Sequence, residues 1–245
     1  MTRLRGRYDH EVRYSDAMVR RLVEHLRSRG RFEDGLGVIA SDHGEGLFEH
    51  ADERALQRTP DAPLRELLYQ THGSHLYREA TGVPLVLFGS GVPAGTRIDV
   101  PVENIDLFPT LAELAGIAVP PDLDGHSLVP LLHGEGAPPR EFVFSYLDHL
   151  TSVREVASDW KLVVPGAGGH AVHHEQELFH LREDPFERAN HRAQEPAVAA
   201  RLEARLAQWL NEHGGEADDA LDADERTLLE GLGYTDVELD GPTSD

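Results

Sequence analysis

The stretch that decides the fold is Leu36-Gly37-Val38-Ile39-Ala40-Ser41-Asp42-His43-Gly44-Glu45. Its first five residues form an apolar run that is typical of a buried parallel strand. A turn that carries a carboxylate and an imidazole follows directly, and ligands gather at the carboxyl ends of such strands in open sheets. Asp42 and His43 are therefore candidate ligands of one divalent cation: oxygen-rich sites suit calcium, magnesium or manganese, and an added imidazole also tolerates zinc. The alternative interpretation is an aspartate helix cap beside a surface histidine.

Regular patterns on both sides of this stretch predict an α/β region followed by an α+β region. Residues 7–29 have apolar side chains at spacings of three and four, which predicts an amphipathic helix. Val83–Phe88 is a second apolar run, which we expect to be a neighbour or near neighbour of 36–40 in one mixed sheet flanked by helices. Four short runs between 142 and 181 predict a separate antiparallel sheet. An amphipathic helix predicted at 196–212 should pack on that sheet.

The change of pattern near residue 140 divides the chain into predicted parts. Residues 1–140 are expected to belong to an α/β domain, residues 141–235 to a smaller α+β subdomain, and residues 236–245 to an acidic tail. A last short helix is predicted at roughly 223–231.

Composition excludes several classes of protein. Forty per cent of the 245 residues are hydrophobic, and the formal net charge is −21, with 44 acidic and 23 basic residues. This excess of negative charge would repel a nucleic-acid backbone, so we expect no nucleic-acid partner. No apolar stretch is long enough to span a membrane and the N-terminus has no apolar signal-peptide core, so no membrane segment is expected and the localisation stays open. The absence of cysteine excludes disulfides, thiolate metal sites and a cysteine-derived nucleophile within the chain.

Eight short motifs occur in order along nearly the whole chain. They are YDHEVRYSD at 8–16, VIASDHGE at 38–45, HGSHLYRE at 72–79, VPLV at 83–86, GSGVPAG at 89–95, DLFPTL at 106–111, LDGHSL at 123–128 and ELFHLREDP at 177–185. These motifs resemble those of the sulfatase family within the alkaline phosphatase superfamily, for example YDxEVxYxD, VVxTSDHGE, HGxxLYEE and RVPLI. The resemblance implies that the first region is part of an alkaline-phosphatase-like central sheet flanked by helices, followed by the small antiparallel sheet and its helix.

The resemblance also implies a metal site that is built from two distant parts of a sulfatase. In the family, paired aspartates near the N-terminus and a later Asp-His or Asp-Asn pair hold one cation, usually calcium. The nucleophile is a formylglycine hydrate made from Cys or Ser in a C/S-x-P-x-R motif. Asp42 and His43 match the later pair, whereas the N-terminal aspartates and the nucleophile motif have no counterpart here. The segment 136–140 contains P-x-R, but Gly136 stands at the nucleophile position and a proline-rich linker is the better interpretation.

A catalytic histidine is the second expectation from the resemblance. Family members often place a Lys or His near position 72 to hold charged substrate oxygens and to help the leaving group. His72 is therefore the candidate catalytic residue, and the neighbouring His75 could serve instead. A histidine in a surface loop is the alternative. Gly82 departs from the family pattern, which usually has arginine there.

Three interpretations of function remain open from the sequence. The first is the C-terminal portion of a sulfuric ester hydrolase, whose partners are a sulfate ester substrate and the missing N-terminal part, and which is inactive alone. The second is a truncated product or pseudo-enzyme without catalysis. The third is a phosphate or phosphonate ester hydrolase of the same superfamily. Full-length relatives are often periplasmic or secreted, but this chain does not reveal its own location.

Overall fold

A long helix opens the part of the chain that the structure describes. The computed structural model describes residues 2–47, 49–50, 73, 75–136, 138–147, 150–166 and 175–213. Helix α1 spans Thr2–Ser28, and Gly30 follows it in the left-handed region with φ +66°. The predicted amphipathic helix is confirmed, but its apolar stripe is largely exposed: Val12 and Leu22 are 52% and 58% accessible.

Strands β1 (Leu36–Ala40) and β2 (Leu85–Gly89) form a two-stranded sheet. They pair antiparallel, with Val38 opposite Leu87. The prediction that the two runs are neighbours is confirmed, but the expectation of a buried parallel strand is wrong for this pair. An apolar run indicates that a strand is suited to burial and does not fix the direction of its neighbour. Both strands remain only partly buried in the described part of the chain.

Short helices precede and follow β2 along the chain. They are α2 (Arg78–Thr81), a 3₁₀ helix (Asn104–Asp106) that leads into α3 (Leu107–Leu114), and α4 (Val129–Leu132). Asp106 is fully buried and connects three segments of this region through its carboxylate. Its carboxylate accepts the backbone N–H groups of Glu103 at 2.9 Å and His126 at 2.8 Å, and it forms an ion pair with Arg140.

The second sheet is a meander of four antiparallel strands. They are β3 (Phe142–Leu147), β4 (Leu150–Glu155), β5 (Trp160–Pro165) and β6 (Glu177–His180), in that order. Leu162 and Leu178, which lie opposite one another on β5 and β6, are fully buried. The separate antiparallel sheet predicted between 142 and 181 is therefore confirmed.

Alternation of side chains gives this sheet two faces with different partners. One face packs against α5 (Pro196–His213): the Arg205 guanidinium lies 5.1 Å from the centre of the Phe144 ring, and Arg201 forms an ion pair with Glu155. The predicted packing of this helix on the sheet is confirmed. The opposite face contributes Leu150, Val163 and Phe179 to a core that also contains Leu76 and Tyr77.

The chain divides into two compact units, residues 1–206 and 207–245, and the second includes the C-terminal end of α5. The helix predicted at 223–231 and the acidic tail at 236–245 lie outside the described residues. The boundary between domains near residue 140 stays a prediction.

Candidate functional site

The turn after β1 places Asp42 and His43 side by side. The Asp42 oxygen Oδ1 accepts the backbone N–H of His43 at 2.9 Å, and the Ser41 hydroxyl donates to the His43 carbonyl at 2.8 Å. Asp42 Oδ2 lies 3.8 Å from His43 Nε2. The Asp42 side chain is 62% exposed and the His43 side chain 37% exposed. The two candidate ligands therefore present neighbouring polar atoms at the C-terminal end of β1.

The second ring nitrogen of His43 is also held in a way that suits a metal ligand. Nδ1 lies 2.8 Å from the carbonyl oxygen of Gly44, to which it donates when it carries the ring proton. Nε2 then has a lone pair on the side of the Asp42 carboxylate. Metal-binding histidines commonly donate their other ring N–H to a backbone carbonyl in this manner. One carboxylate and one imidazole so arranged fit part of a divalent-cation site.

Gly44 fixes this turn against α2. Its N–H donates to the Ala80 carbonyl at 2.8 Å. A Cβ at position 44 would lie 2.0 Å from the carbonyl oxygen of Glu79, so the approach of the two backbones requires glycine. On the other side, the Asn104 amide donates to the Ser41 carbonyl at 3.0 Å. The position of the turn therefore depends on both α2 and the 3₁₀ helix.

The other sequence-predicted site residues are only partly described. His72 lies outside the described residues, so its catalytic role stays a prediction. His75 is 1% exposed, and its Nδ1 accepts the Tyr77 N–H at a long 3.4 Å. Burial lowers the pKa of His75 and favours the neutral imidazole. Within the described ranges, no three His, Asp or Glu side chains converge on one possible metal position.

A buried polar cluster behind the turn joins α2 to the four-stranded sheet. Glu187, whose side chain is fully buried, accepts the Arg78 backbone N–H at 2.5 Å and lies 2.7 Å from Lys161 Nζ. Lys161 Nζ also donates to the Leu76 carbonyl at 2.5 Å. The backbone of Glu187 is left-handed, with φ +54°, which is an unusual conformation for a residue with a side chain. These contacts fix the segment that precedes and begins α2.

A histidine–glutamate pair extends this cluster. His50 Nδ1 lies 2.5 Å from Glu79 Oε1, His50 Nε2 lies 3.2 Å from the Glu187 carbonyl oxygen, and the imidazole stacks on the Tyr77 ring at 3.8 Å. Burial alone would lower the pKa of His50, but the hydrogen bond and charge of Glu79, with a smaller effect of Glu187, raise it overall. Burial would raise the pKa of Glu79, but His50 and the backbone lower it. The pair therefore favours imidazolium and carboxylate.

Sequence reasoning missed this cluster because its members are far apart in the chain. His50 and Glu79 are 29 residues apart, and His50 and Glu187 are 137 residues apart. The available signal was Lys161, which is the only lysine in the sequence and lies in an otherwise apolar strand. An isolated lysine among Trp, Leu and Val side chains indicates a buried charge that needs a partner.

Comparisons with known proteins identify the family. The family described as Sulfatase matches residues 1–117, and the family described as N-sulphoglucosamine sulphohydrolase, C-terminal, matches residues 72–213. Arylsulfatase K of Mus musculus is 26% identical over 208 residues, which cover 80% of this chain and 34% of the relative. The chain thus spans about a third of the length of the curated relatives that it matches.

Solved structures agree with the fold. BT4656, determined in complex with its substrate D-glucosamine-2-N,6-O-disulfate, has a TM-score of 0.64 at 23% identity over 84% of this chain and 40% of its own. The phosphonate monoester hydrolase SpPMH from Silicibacter pomeroyi has a TM-score of 0.56 at 26% identity over 81% of this chain and 38% of its own. This likeness confirms the predicted fold class. None of the described helices is long and apolar enough to cross a membrane. Because the two family matches together extend over residues 1–213, and the match over residues 72–213 alone covers more than half of the sequence, the chain belongs to the sulfatase family.

Proposed function

We propose that this chain is the C-terminal portion of a hydrolase of sulfuric esters and supplies one half of its cation site. Asp42 and His43 are the two ligands, and calcium is the expected cation. The observation that carries the proposal is the turn after β1, where a carboxylate oxygen and an imidazole nitrogen lie 3.8 Å apart with the second ring nitrogen against a backbone carbonyl. A cation there would polarise the sulfate oxygens of the substrate.

The remaining parts of the reaction belong to a partner. Paired aspartates and a formylglycine nucleophile are expected in an N-terminal part of the enzyme, which would bind this chain or be continuous with it. The many exposed apolar side chains of the first region support such a partner, since large uncovered apolar surfaces mark interaction sites. His72 is proposed to assist the leaving oxygen.

The test is sulfate release by the 245-residue chain alone and by the chain fused to a matching N-terminal part that carries a converted nucleophile. We expect no measurable activity from the chain alone, because the covalent step lacks its nucleophile. The fusion should release sulfate from an aryl sulfate in the presence of calcium. Robust metal-dependent sulfate release by the chain alone would overturn the division of the site.

Variants of the fusion test the ligands. Asp42→Ala should lower kcat by roughly 10³-fold, because a bound cation contributes several kcal/mol to charge stabilisation. Asp99→Ala is the matched control: Asp99 is also an exposed aspartate, paired only with Arg97 among the described residues, and its loss should leave kcat unchanged. Equal effects of the two substitutions would remove Asp42 from the cation site.

A phosphonate or phosphate ester is the second candidate substrate class. The observation that favours it is the 26% identity to a phosphonate monoester hydrolase, which is as high as that to mouse arylsulfatase K. Assay of the fusion with an aryl sulfate and a phenyl phosphonate ester separates the two. A higher kcat/KM for the phosphonate would replace the sulfatase assignment.

A further inference from the structure

A cavity of about 520 Å³ separates α2 and β2 from the four-stranded sheet. One wall consists of α2 and the residues just after it, and a second wall consists of Ile98 and residues 100–104. The third wall is the face of the sheet that does not contact α5. This volume is in the range of small-molecule sites.

The wall formed by the sheet is polar, although the same face is apolar at its other end. Side chains on one face of neighbouring strands follow the register, in which Ser145 lies opposite Ser152, and Arg154 lies opposite Lys161. All four line the cavity. Farther along the same face, Leu150 belongs to the hydrophobic core. Hydroxyl, guanidinium and ammonium groups are therefore concentrated where the sheet borders the cavity.

The positive charges that line the cavity are not all neutralised within the protein. Lys161 is paired with Glu187, and the cavity residue Glu103 is paired with Arg140. Arg78 is different: its Nη1 donates to the Pro185 carbonyl at 3.3 Å, and no carboxylate of the described residues forms an ion pair with it.

Arg154 shares its only carboxylate partner among the described residues. Asp159 lies 2.8 Å from Arg154 Nη2 and also binds Arg182 at 3.0 Å, so one negative charge serves two guanidinium groups. The Nε–H of Arg154 is buried and has no hydrogen-bond acceptor in the described part of the chain. An unsatisfied donor on a charged group is costly unless a ligand supplies the acceptor.

The cavity is adjacent to the candidate cation site. Asn104 lines the cavity and at the same time donates to the carbonyl of Ser41, the residue before Asp42. Gly82 also lines this space, and a Cβ at position 82 would lie 2.8 Å from the carbonyl oxygen of Arg78, so the wall carries no side chain at that point. Arg78 and Arg154 provide positive charge around that space.

We infer that this cavity binds a second anionic group of the substrate, a sulfate carried by a sugar at a position other than the ester that is cleaved. The inference rests on the proposed function for the identity of the ligand, and on Arg78 and Arg154 for its charge. Guanidinium groups bind sulfate and carboxylate oxygens through charge-assisted hydrogen bonds, and the hydroxyls of Ser145 and Ser152 can add neutral ones. The substrate class is therefore a polysulfated saccharide.

The experiment measures binding of D-glucosamine-2-N,6-O-disulfate to the full 245-residue chain by calorimetry at low ionic strength, where charge interactions are least screened. Arg78→Gln and Arg154→Gln should each weaken binding about tenfold, the usual effect of losing a hydrogen bond to a charged group. Arg182→Gln is the matched control, because it removes the same charge and the same Asp159 contact but does not line the cavity. Its Kd should stay within about twofold of the parent value. Thermal unfolding checks that each variant is folded.

Two further ligands identify the anion. Glucose 6-sulfate, with a single sulfate, and glucuronate, with a carboxylate, are titrated in the same way. The disulfate should bind more tightly than both, and tighter binding of glucuronate would assign the cavity to carboxylates instead. No binding of the disulfate, or equal weakening by Arg154→Gln and Arg182→Gln, would overturn the inference. A failure of the proposed function appears elsewhere, as absence of sulfate release by the fusion while binding to the chain persists.

Discussion

The two sheets of this molecule bury their apolar residues to very different extents. In the four-stranded sheet, Leu150, Val153, Leu162 and Leu178 are all fully buried. Among the described residues, eleven large hydrophobic side chains before residue 124 are exposed. Only two are exposed after it. In the C-terminal sheet, α5 covers one face, and Leu76 and Tyr77, which immediately precede α2, pack on part of the other. The two-stranded sheet and α1 have apolar surfaces that nothing described in the chain covers.

This difference predicts which region would gain stability if another surface covered its exposed apolar side chains. A sheet that is covered on both faces can fold from its own contacts, whereas an exposed apolar stripe on a helix contributes to stability only when another surface covers it. The polar cluster around Glu187 lies between the two regions and fastens α2 to the sheet. Substitutions in the sheet, in the cluster and on α1 should therefore differ in their effects on the isolated chain.

The largest effect is expected at Glu187. Glu187→Gln keeps the shape of the side chain but leaves the Lys161 ammonium buried without its counter-charge, which costs about 3–5 kcal/mol when a buried pair is broken. Urea unfolding of the chain measures this change. Glu183→Gln is the control, since that side chain is 81% exposed and should change the free energy of unfolding by less than about 0.5 kcal/mol. Adding Lys161→Met to Glu187→Gln should recover much of the loss; no recovery would mean that the ion pair is not the cause.

A pair of leucine substitutions tests the contrast between the regions directly. Leu162→Ala should lower the free energy of unfolding by about 2–5 kcal/mol, because the side chain is fully buried and leaves a cavity. Leu22→Ala, at an exposed position of α1, should change it by less than about 0.5 kcal/mol in the isolated chain. In the fusion with an N-terminal part, Leu22→Ala should become clearly destabilising. A large effect of Leu22→Ala in the isolated chain would show that α1 is already covered.

The smallest effect is a pH dependence from the His50–Glu79 pair. The pKa of His50 is raised on folding, so His50 contributes to the free energy of unfolding. This contribution is fully present at pH values below the ordinary pKa near 6.5, and it is lost as pH rises through the pKa of the folded state. The lowered pKa of Glu79 contributes to the free energy of unfolding at pH values above about 4.5, and this contribution is lost in more acidic solution. The His50–Glu79 pair therefore stabilises the folded chain most between about pH 4.5 and pH 6.5.

Comparison with His50→Gln isolates this contribution. Between pH 6 and 8, the Tm of the parent chain should fall relative to that of the variant, as the imidazolium loses its proton. The lowered pKa of His75 acts in the opposite direction, since protonation of that buried ring destabilises the fold as pH decreases. Because the charge of His50 is one cause of the lowered pKa of His75, the two proteins are compared in a His75→Gln background, which removes the titration of His75 from both. A Tm difference that is independent of pH would contradict the raised pKa of His50.

The C-terminal sheet was predictable because its signals are local. Short runs with turns between them predict adjacent antiparallel strands, and β3 to β6 follow in chain order. The direction of β1 against β2 was not predictable, because 44 residues separate Ala40 from Leu85 and the apolar run has no directional signal. Asp42 and His43 could be predicted as candidate ligands because they are adjacent in sequence, and their role as ligands stays a prediction. The pairing of Glu187 and Lys161 could not be predicted, because only the folded chain brings them together with α2.

The burial of Lys161 has a consequence for chemical labelling. It is the only lysine in the sequence, and its side chain is 6% exposed. An amine-reactive reagent therefore has two targets in the chain, the α-amino group and this ε-amine, and the second reacts only when β5 separates from the Leu76 carbonyl and Glu187. The rate at which the ε-amine is modified thus reports how often the contacts of Lys161 with Glu187 and the Leu76 carbonyl break in the native state.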